Sequence, residues 1–470
     1  MEKWIYTFGG GVAEGSAGME DLLGSKGANL AEMSAIGLPV PPGFTITTDV
    51  CGYYHSHGSS FPDTLDAAVR EGLAQLEKAR GARFGDPENP LLVSVRSGSA
   101  ASMPGMMDTV LNLGLNDAVV EGLARKSGDR RFAYDCYRRF INMYGEVVLD
   151  VDGFLFEEAA DEIKEDHGAD FDRDLSADAF AEMATRFKEI VESESGERFP
   201  DDPLEQLWGA IGGVIRSWNN QRAVIYRSLH HIADDTGTAV TVQAMVFGNL
   251  GQESVTGVAF TRNPSTGVKG PYGEYLPNAQ GEDVVAGLRT PLPLVESAMH
   301  GAAEDAEALS AHAPGLFDKL QTLCDRLERH YGDVQDIEFT AEDGELFLLQ
   351  TRSAKRTAEA GLKIAVDMER EGLISRRDAV MRVNPDDLDS LLYPSVDPSA
   401  GAAPIARGLP ASPGAASGIA VFDPDDAVRR SRDGEDVILV RKETSPNDIH
   451  GMHAAVGIVT ARGGLTSHAA

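Results

Sequence analysis

The stretch QDIEFTAEDGELFLLQTR, residues 335–352, decides the fold of its region because it predicts a β-hairpin. Residues 336–340 and 346–351 have the composition of strands. Between them, Glu342-Asp343-Gly344 has the residues of a tight hairpin turn. Side chains of a strand alternate between its two faces, so polar residues spaced two apart on these strands gather on one face.

The polar residues on that face are of types that bind metal ions and phosphate. Asp336 and Glu338 lie on one face of the first strand, and Gln350 and Arg352 repeat the spacing on the second. Carboxylates bind Mg²⁺ or ribose hydroxyls, whereas Arg and Gln suit phosphate. The pattern therefore predicts a magnesium–nucleotide platform, although a solvent-facing cross-strand ion pair has the same pattern.

Working outward from the hairpin, helices are predicted over residues 115–235 and again over 355–390, where the chain is charged. Residues 1–110 mix short strands with glycine-rich turns. Further strands are predicted at 238–246, 255–261 and 282–286. This order indicates an α+β protein with helices packed on a mainly antiparallel sheet. The Pro/Gly/Ala-rich stretch 397–404 predicts a linker, and a new β-rich unit begins near residue 405.

Length and charge exclude several function classes. The chain has 470 residues, enough for about three domains of ~150 residues. Its 42 Lys and Arg against 74 Asp and Glu give a net charge of −32, which excludes non-specific nucleic-acid binding through a basic surface and argues against docking on anionic membranes. No secretory signal or membrane span is predicted, and three widely separated cysteines indicate a reduced, cytoplasmic protein.

In so acidic a chain, an anionic substrate has to be met by local clusters of cations. Lys26 lies between Gly24 and Gly27 just before a predicted helix, which suits phosphate, but an exposed lysine in a turn has the same pattern. Arg96 ends an apolar strand and precedes the small-residue loop 97–105. Its guanidinium could hold a phosphate in a bidentate way or pair with a buried carboxylate.

His468 is the candidate nucleophile. It follows Gly463-Gly464, which permit close approach, and Thr466-Ser467, which can cap a helix. A neutral imidazole attacks phosphorus near neutral pH, and a phosphate attached there would be stabilised by the first turn of a helix. An ordinary loop histidine is the alternative.

Several motifs occur in a fixed order, among them VSVRSG, ASMPGMMDT, GVAFTRNPSTG, NAQGEDVVAG, LPASPGAASG and GGLTSHAA. This order closely resembles the pyruvate, phosphate dikinase family over essentially the whole chain, and MPGMMDT favours that family over phosphoenolpyruvate synthase. The resemblance implies an ATP-grasp-like nucleotide-binding domain at 1–354 with the helical segment 115–235 inside it. It also implies a helical linker at 355–404 and the N-terminal part of a β/α phosphohistidine swivelling domain at 405–470.

The resemblance also implies a reaction. ATP pyrophosphorylates the histidine and AMP departs; inorganic phosphate then takes the outer phosphoryl group as diphosphate. The remaining phosphohistidine converts pyruvate to phosphoenolpyruvate, with Mg²⁺ and a monovalent cation, NH₄⁺ or K⁺, as cofactors. Full-length members form homodimers through a pyruvate-binding barrel. Because the sequence stops two residues after His468, we expect a fragment without that barrel that cannot complete the reaction.

The family's functional positions can be carried over by matching motifs. The resemblance assigns His468 as the phosphorylated residue, Arg139 as a phosphate contact and Thr466 as a regulatory candidate. Asp336 and Glu338 would also hold the metal. The ATP-binding positions are Lys26, Arg96, Gln280, Glu282, Asp336, Glu338, Gln350 and Arg352.

Two other interpretations remain open from the sequence. One is another phosphohistidine-relay enzyme, such as phosphoenolpyruvate synthase or an antibiotic phosphotransferase. The other is a non-catalytic nucleotide-binding or regulatory module. The first differs in whether phosphate or water accepts the γ-phosphoryl group of ATP, and the second predicts no transfer to His468.

Overall fold

The computed structural model describes residues 3–103, 105–251, 253–285, 289–296, 307–385, 405–406, 408–409, 411–412, 414–464 and 467–470. The chain forms two compact units, Met1–Val246 and Phe247–Ala470. Helices and mostly antiparallel strands are mixed in both, which confirms the predicted α+β class.

The first unit is built on an antiparallel sheet with the strand order β2-β1-β3-β8-β6-β7. Every residue of β3 and β8 is buried, because these central strands are rich in apolar and β-branched residues. The strands are β1 (Ile5–Gly9), β2 (Val12–Ala13), β3 (Gly43–Ile46), β6 (Val93–Gly98), β7 (Thr109–Leu113) and β8 (Ala239–Ala244), with a separate short pair β4 (Arg83–Phe84) and β5 (Pro90–Leu91).

Helices occupy the stretch between β7 and β8, where the sequence analysis placed them. Their ends follow local chemistry: the side chain of Asn116 accepts hydrogen bonds from the backbone at the start of α4, and Asp129 does the same for α5. The helices of this unit are α1 (Glu20–Ala35), α2 (Thr48–Ser56), α3 (Leu65–Arg80), α4 (Asp117–Ser127), α5 (Arg130–Leu149), α6 (Gly153–Asp166), α7 (Ala177–Ser195), α8 (Pro203–Ser217) and α9 (Gln221–Leu229).

The second unit contains an antiparallel sheet of order β11-β10-β9-β12-β13. The predicted hairpin is confirmed: β12 and β13 are joined through Asp343 and Gly344, whose φ angles of 49° and 75° are those of a type I′ turn. The strands are β9 (Val255–Arg262), β10 (Lys269–Pro277), β11 (Leu292–Pro293), β12 (Gln335–Glu342) and β13 (Glu345–Ser353). The helices are α10 (Gly281–Val285), α11 (Leu309–His312), α12 (Pro314–Tyr331), α13 (Ala358–Arg370) and α14 (Arg376–Met381).

The strand predicted at 282–286 is wrong, because Gly281–Val285 is the short helix α10. The backbone N–H of Gln280 donates to Asp283 Oδ2 at 3.1 Å, a bond across a helix start that local sequence chemistry supplies. A short apolar run such as 284–285 does not by itself distinguish strand from helix.

A second, parallel sheet of order β14-β15-β16 lies near the C-terminal end of the sequence. Its core is made by Val421, Ala427, Val437 and Leu439. The elements are β14 (Ile419–Val421), α15 (Pro424–Arg432), β15 (Val437–Arg441), α16 (Ile449–Ala454) and β16 (Gly457–Thr460). The predicted linker at 397–404 lies outside the described residues.

A buried ion-pair cluster ties the end of β9 to two helices. The guanidinium of Arg262 is fully buried and donates to both oxygens of Glu328 on α12, with Nη2 at 2.9 Å from Oε2. It also donates to Glu371, at the end of α13, at 3.0 and 2.9 Å. Burial opposes the charge on Arg262, but the two carboxylates outweigh it and raise its pKa further above the usual value. Arg262 in turn lowers the pKa of Glu371.

Candidate functional site

The hairpin places its four polar residues in two cross-strand pairs. Asp336 is opposite Arg352 and Glu338 is opposite Gln350, so the two carboxylates of one strand face the Arg and the Gln of its partner, as the sequence predicts. Arg352 Nε donates to Asp336 Oδ2 at 2.7 Å. Just beyond Glu338 the register shifts by one residue at Leu349, so the hairpin carries a β-bulge directly beside the pairs. Bulges bend a strand and redirect its side chains, and they are common next to ligand sites.

The two members of the Asp336–Arg352 pair differ in exposure. The side chain of Asp336 is 8% exposed and that of Arg352 is 40% exposed. Burial raises the pKa of Asp336; Arg352 opposes that shift, and the nearby carboxylate of Glu338 adds to it. The arrangement is a buried carboxylate held in place by a guanidinium that reaches solvent.

The row of side chains continues across the sheet. Glu338 on β12 is opposite Val258 on β9, and Val258 is opposite Glu274 on β10. Residues directly opposite each other in an antiparallel sheet point to the same face. Glu274 therefore shares the face of Glu338, and it is 6% exposed. Sequence reasoning missed Glu274, although a carboxylate in the otherwise apolar run Gly273–Leu276 was a usable signal.

Gln280 and Glu282 lie where β10 leads into α10. Gln280 is 3% exposed and Glu282 is half-buried. The hydrogen bond from the backbone N–H of Gln280 to the side chain of Asp283 fixes this connection. These two predicted site residues thus belong to the same unit as the carboxylates of the hairpin.

Lys26 lies in the first unit at a break in α1. Gly24 has φ 67° and ψ 161°, which interrupts the helix and starts a new segment one residue before Lys26. The new segment abuts the end of β6: Ser25 N donates to Ser99 O at 2.9 Å, and a methyl group at Gly98 would lie 3.4 Å from Lys26 Cβ. Lys26 therefore stands in the first turn of a helix segment, where backbone N–H groups favour anions.

Arg96 lies on β6, opposite Thr241 on β8 and Thr109 on β7. Thr241 is in turn opposite Thr45 on β3, with their hydroxyls 3.3 Å apart. A methyl group at Gly27 would lie 2.7 Å from Thr45 Oγ1, so α1 crosses the face of the sheet that bears Arg96. The first unit thus brings the helix segment of Lys26 and the row of Arg96 to one face.

Arg139 is on α5, where Asp135 engages it. Arg139 Nε lies 3.1 Å from Asp135 Oδ1, and Arg138 Nη2 lies 2.8 Å from the same oxygen. Burial would raise the pKa of Asp135, but Arg139 and Arg138 together hold it at about 2. The structure therefore presents Arg139 first of all as a member of an ion-pair cluster on a helix.

His468 lies in a turn rather than in a helix. Ser467 N donates to Gly464 O at 3.2 Å, and Ala470 N donates to Ser467 O at 3.0 Å. The imidazole is half-buried. Thr466 lies outside the described residues.

Comparison with known proteins identifies the family. The sequence model described as "Pyruvate phosphate dikinase, AMP/ATP-binding domain" matches residues 20–59, 57–299 and 294–373, and "PEP-utilising enzyme, mobile domain" matches 433–470. The chain belongs to the pyruvate, phosphate dikinase family. The resemblance predicted from the motifs is confirmed, and the second match contains His468.

Curated relatives agree with that assignment. The chain is 59% identical over its whole length to pyruvate, phosphate dikinase of Rhizobium meliloti (strain 1021), of which it covers 52%. It is 53% identical to the protein of the same name from Clostridium symbiosum, of which it covers 52%. It is also 53% identical to pyruvate, phosphate dikinase 1, chloroplastic, from Oryza sativa subsp. japonica, of which it covers 48%. The chain thus spans about half the length of the curated relatives it matches.

The carboxylates of the hairpin suit one kind of metal site. Across the described ranges, no group of three or more His, Cys, Asp or Glu side chains is arranged to hold a metal ion. Mg²⁺ bound with a nucleotide, as this family implies, needs only one or two carboxylates because phosphate oxygens and water complete its octahedron. Asp336 and Glu338 fit that requirement.

No helix in the described part of the chain has the length and apolar character required to cross a membrane.

Proposed function

We propose that this chain performs the nucleotide half of the pyruvate, phosphate dikinase reaction. ATP pyrophosphorylates His468, AMP leaves, and inorganic phosphate removes the outer phosphoryl group as diphosphate. In the whole protein the remaining phosphohistidine would convert pyruvate to phosphoenolpyruvate. The observation that carries the proposal is the row in which Asp336 and Glu338 face Arg352 and Gln350.

The residue roles follow from charge and position. Asp336 and Glu338 would hold Mg²⁺, which when bound neutralises phosphate charge. Arg352 and Gln350 would bind phosphate oxygens from the partner strand, since a guanidinium matches phosphate geometry. Through the family, Lys26, Arg96, Gln280 and Glu282 are proposed as further ATP-binding residues. Arg139 would contact inorganic phosphate after release from Asp135.

His468 is the only protein nucleophile that the proposed transfers require. A nitrogen lone pair of the imidazole attacks Pβ of ATP, the bond from Pβ to the bridging α-oxygen breaks, and AMP takes the electron pair. An oxygen of inorganic phosphate then attacks Pγ; the bond from Pγ to the β,γ-bridging oxygen breaks, and diphosphate leaves. His468 retains one phosphoryl group. Such transfers depend on positioning and on charge neutralisation more than on covalent protein chemistry.

The same proposal includes the architecture and setting. We assign an ATP-grasp-like domain to 1–354, a helical linker to 355–404 and phosphohistidine-domain sequence to 405–470. The family adds four further parts to the proposal: a monovalent cation, pyruvate as the final acceptor, a homodimeric whole protein and a cytoplasmic location. The Asp333–Arg356 ion pair, at 2.7 Å, and the Arg262 cluster support a firm attachment of α13 to the sheet.

Labelled ATP tests the proposal. With [β-³²P]ATP and Mg²⁺ the chain should acquire acid-labile, base-stable label, and His468→Asn should abolish it. His453→Asn is the matched control, because His453 is an exposed histidine on α16. Labelling of the His468→Asn variant at the wild-type level would overturn the assignment.

A second label separates the alternatives. With [γ-³²P]ATP the protein should be labelled only until inorganic phosphate is added, and the label should then appear in diphosphate. Release of the γ-label as inorganic phosphate in buffer without added phosphate would indicate water as acceptor, as in a phosphoenolpyruvate synthase. ATP binding without any labelling would indicate a nucleotide-binding module.

A further inference from the structure

Ser25 begins the helix segment that carries Lys26, and two of its donors are directed at a single carbonyl group. The backbone N–H of Ser25 donates to Ser99 O at 2.9 Å, and the hydroxyl of Ser25 donates to the same oxygen at 3.0 Å. Ser99 directly follows β6, the strand that carries Arg96, and is 4% exposed. Ser25 therefore joins the helix segment of Lys26 to the chain that leaves the strand of Arg96.

Helix and strand meet backbone to backbone at this junction. A methyl group at Gly24 would overlap Gly98 O, so glycine permits the close approach. On the other side of the strand end, Gly98 N donates to Thr238 Oγ1 at 3.2 Å, which fixes the end of β6 to the chain that enters β8. The position of Ser99 is thus set by the sheet on one side and by Ser25 on the other.

The small-residue loop that follows β6 is held at both of its ends. At the near end the hydroxyl of Ser99 donates to Ala101 O, so the chain turns back directly after the residue that Ser25 holds. At the far end Asp108 Oδ2 accepts from Asn220 Nδ2 at 2.9 Å, at the start of α9. The anchor at Ser25 therefore determines where the loop begins relative to α1.

This geometry bears on phosphate binding. The first turn of a helix and a loop of small residues each bind phosphate through several N–H groups at once. The distance between the two sets of donors decides whether one chain of phosphates reaches both. The two bonds from Ser25 fix that distance, because they set Ser99 beside the helix turn that contains Lys26.

We propose that Ser25 is a positioning residue for the polyphosphate chain of ATP, because it holds the loop at 99–103 at a fixed distance from Lys26. Ser25 acts through the Ser99 carbonyl and does not itself bind the nucleotide. The inference rests on the proposed function, since it takes Lys26 and Arg96 as ATP-binding residues. It adds a residue that the resemblance to the family does not assign.

Three replacements of Ser25 separate its two bonds. Ser25→Thr keeps both donors, and Ser25→Ala removes the hydroxyl but keeps the backbone N–H. Ser25→Pro removes both donors. Proline is tolerated at the first position of a helix, and the ψ of 161° at Gly24 is the extended conformation that a following proline requires.

The experiment measures the Kd for MgATP by equilibrium dialysis and the hydrogen exchange of the amides at 99–103 in the ATP-free protein. Loss of one hydrogen bond predicts that Ser25→Ala raises the Kd by about 2- to 10-fold, and loss of both predicts a rise of about 10-fold or more for Ser25→Pro. Ser25→Thr should bind as the wild type does. Exchange should become faster in the same order, because the loop opens more easily without its anchor.

Helix α7 supplies a matched control for each replacement. Ser193→Ala removes an exposed hydroxyl that donates to Ile190 O within the same helix, at 3.0 Å. Ala177→Pro places proline at the first position of α7, after an extended Ser176 with ψ 169°. Both controls should bind MgATP with the wild-type Kd.

Each outcome decides between the two proposals. A wild-type Kd in both Ser25→Ala and Ser25→Pro would overturn the role of Ser25. So would a raised Kd with unchanged exchange at 99–103, because the loop would then not carry the effect. If Ser25→Pro does not fold, the comparison of Ser25→Ala with Ser25→Thr decides alone. Absence of MgATP binding in the wild type would instead overturn the proposed function, and the inference with it.

Discussion

Replacing Arg262 by Met removes the cation at the centre of the ion-pair cluster that joins β9, α12 and α13. Methionine has a similar reach, so the main effect is on the carboxylate of Glu328, which is 4% exposed and would remain buried without its partner. Removal of one member of a buried ion pair costs about 3–5 kcal/mol. For a unit of this size, 1 kcal/mol shifts the melting temperature by about 2–4 °C, so Arg262→Met should lower it by about 6–20 °C.

Urea unfolding and differential scanning calorimetry measure this change. Lys269→Met is the matched control: Lys269 Nζ pairs with Glu371 at 2.7 Å, but its side chain is 53% exposed. An exposed pair contributes about 0–1 kcal/mol, so the control should remain close to the wild type.

Removing both charges gives the decisive comparison. Arg262→Met/Glu328→Met should be more stable than Arg262→Met alone, because no uncompensated buried charge from Glu328 remains. An Arg262→Met variant within about 1 kcal/mol of the wild type would refute the reasoning. So would a double variant less stable than the single one.

Three further predictions concern other parts of the chain. Gly24→Ala should lower the free energy of unfolding by about 1–3 kcal/mol and raise the Kd for ATP, because the φ of 67° at Gly24 and the overlap with Gly98 O exclude a side chain. Urea unfolding and equilibrium binding measure the two effects. Gly18→Ala is the control, because the space around Gly18 is open. The pKa of Asp135 lies at about 2 rather than 3.8, so its carboxylate stabilises the fold by about 2 kcal/mol above pH 4 and loses that contribution as the pH falls through about 2. Asp135→Asn should therefore be less stable at pH 7 and should show a shallower loss of stability on acidification, as measured by urea midpoints at several pH values. All three cysteines are buried, so a thiol reagent should modify them far more slowly in buffer than in urea.

The hairpin was predictable because the information for it is local. Alternation and the Asp343-Gly344 turn predict two paired strands within 18 contiguous residues, 335–352. Without a bulge this turn would place Asp336 opposite Thr351, so the opposition of Asp336 to Arg352 depends on the bulge at Leu349, which the sequence pattern does not predict. The break before Lys26 is local in the same way, because glycine at position 24 permits its φ of 67°.

Glu274 could not be placed in the same way. Its row depends on the pairing of β10 with β9 and of β9 with β12. The second of these pairings is distant in sequence, because β9 ends at Arg262 and β12 begins at Gln335. A shift of one residue in either register would send Glu274 to the opposite face. The short helix α10 was missed for a different reason: five residues do not establish a period, and the side-chain bond at Asp283 that starts the helix competes with strand propensity.

The Asp336–Arg352 ion pair suggests how the acidic face of the proposed ATP site would accept a triphosphate. Asp336, Glu338 and Glu274 place three carboxylates on one sheet face in a chain of net charge −32, so phosphate is repelled until cations offset that field. Arg352 alone cannot neutralise this negative charge while its Nε donates a hydrogen bond to Asp336. Because Arg352 is 40% exposed and Asp336 only 8%, the guanidinium is the member able to turn toward solvent. Phosphate would then bind Arg352, and Mg²⁺ would bind the carboxylate of Asp336 that Arg352 releases. Phosphate and Mg²⁺ should therefore bind with positive cooperativity.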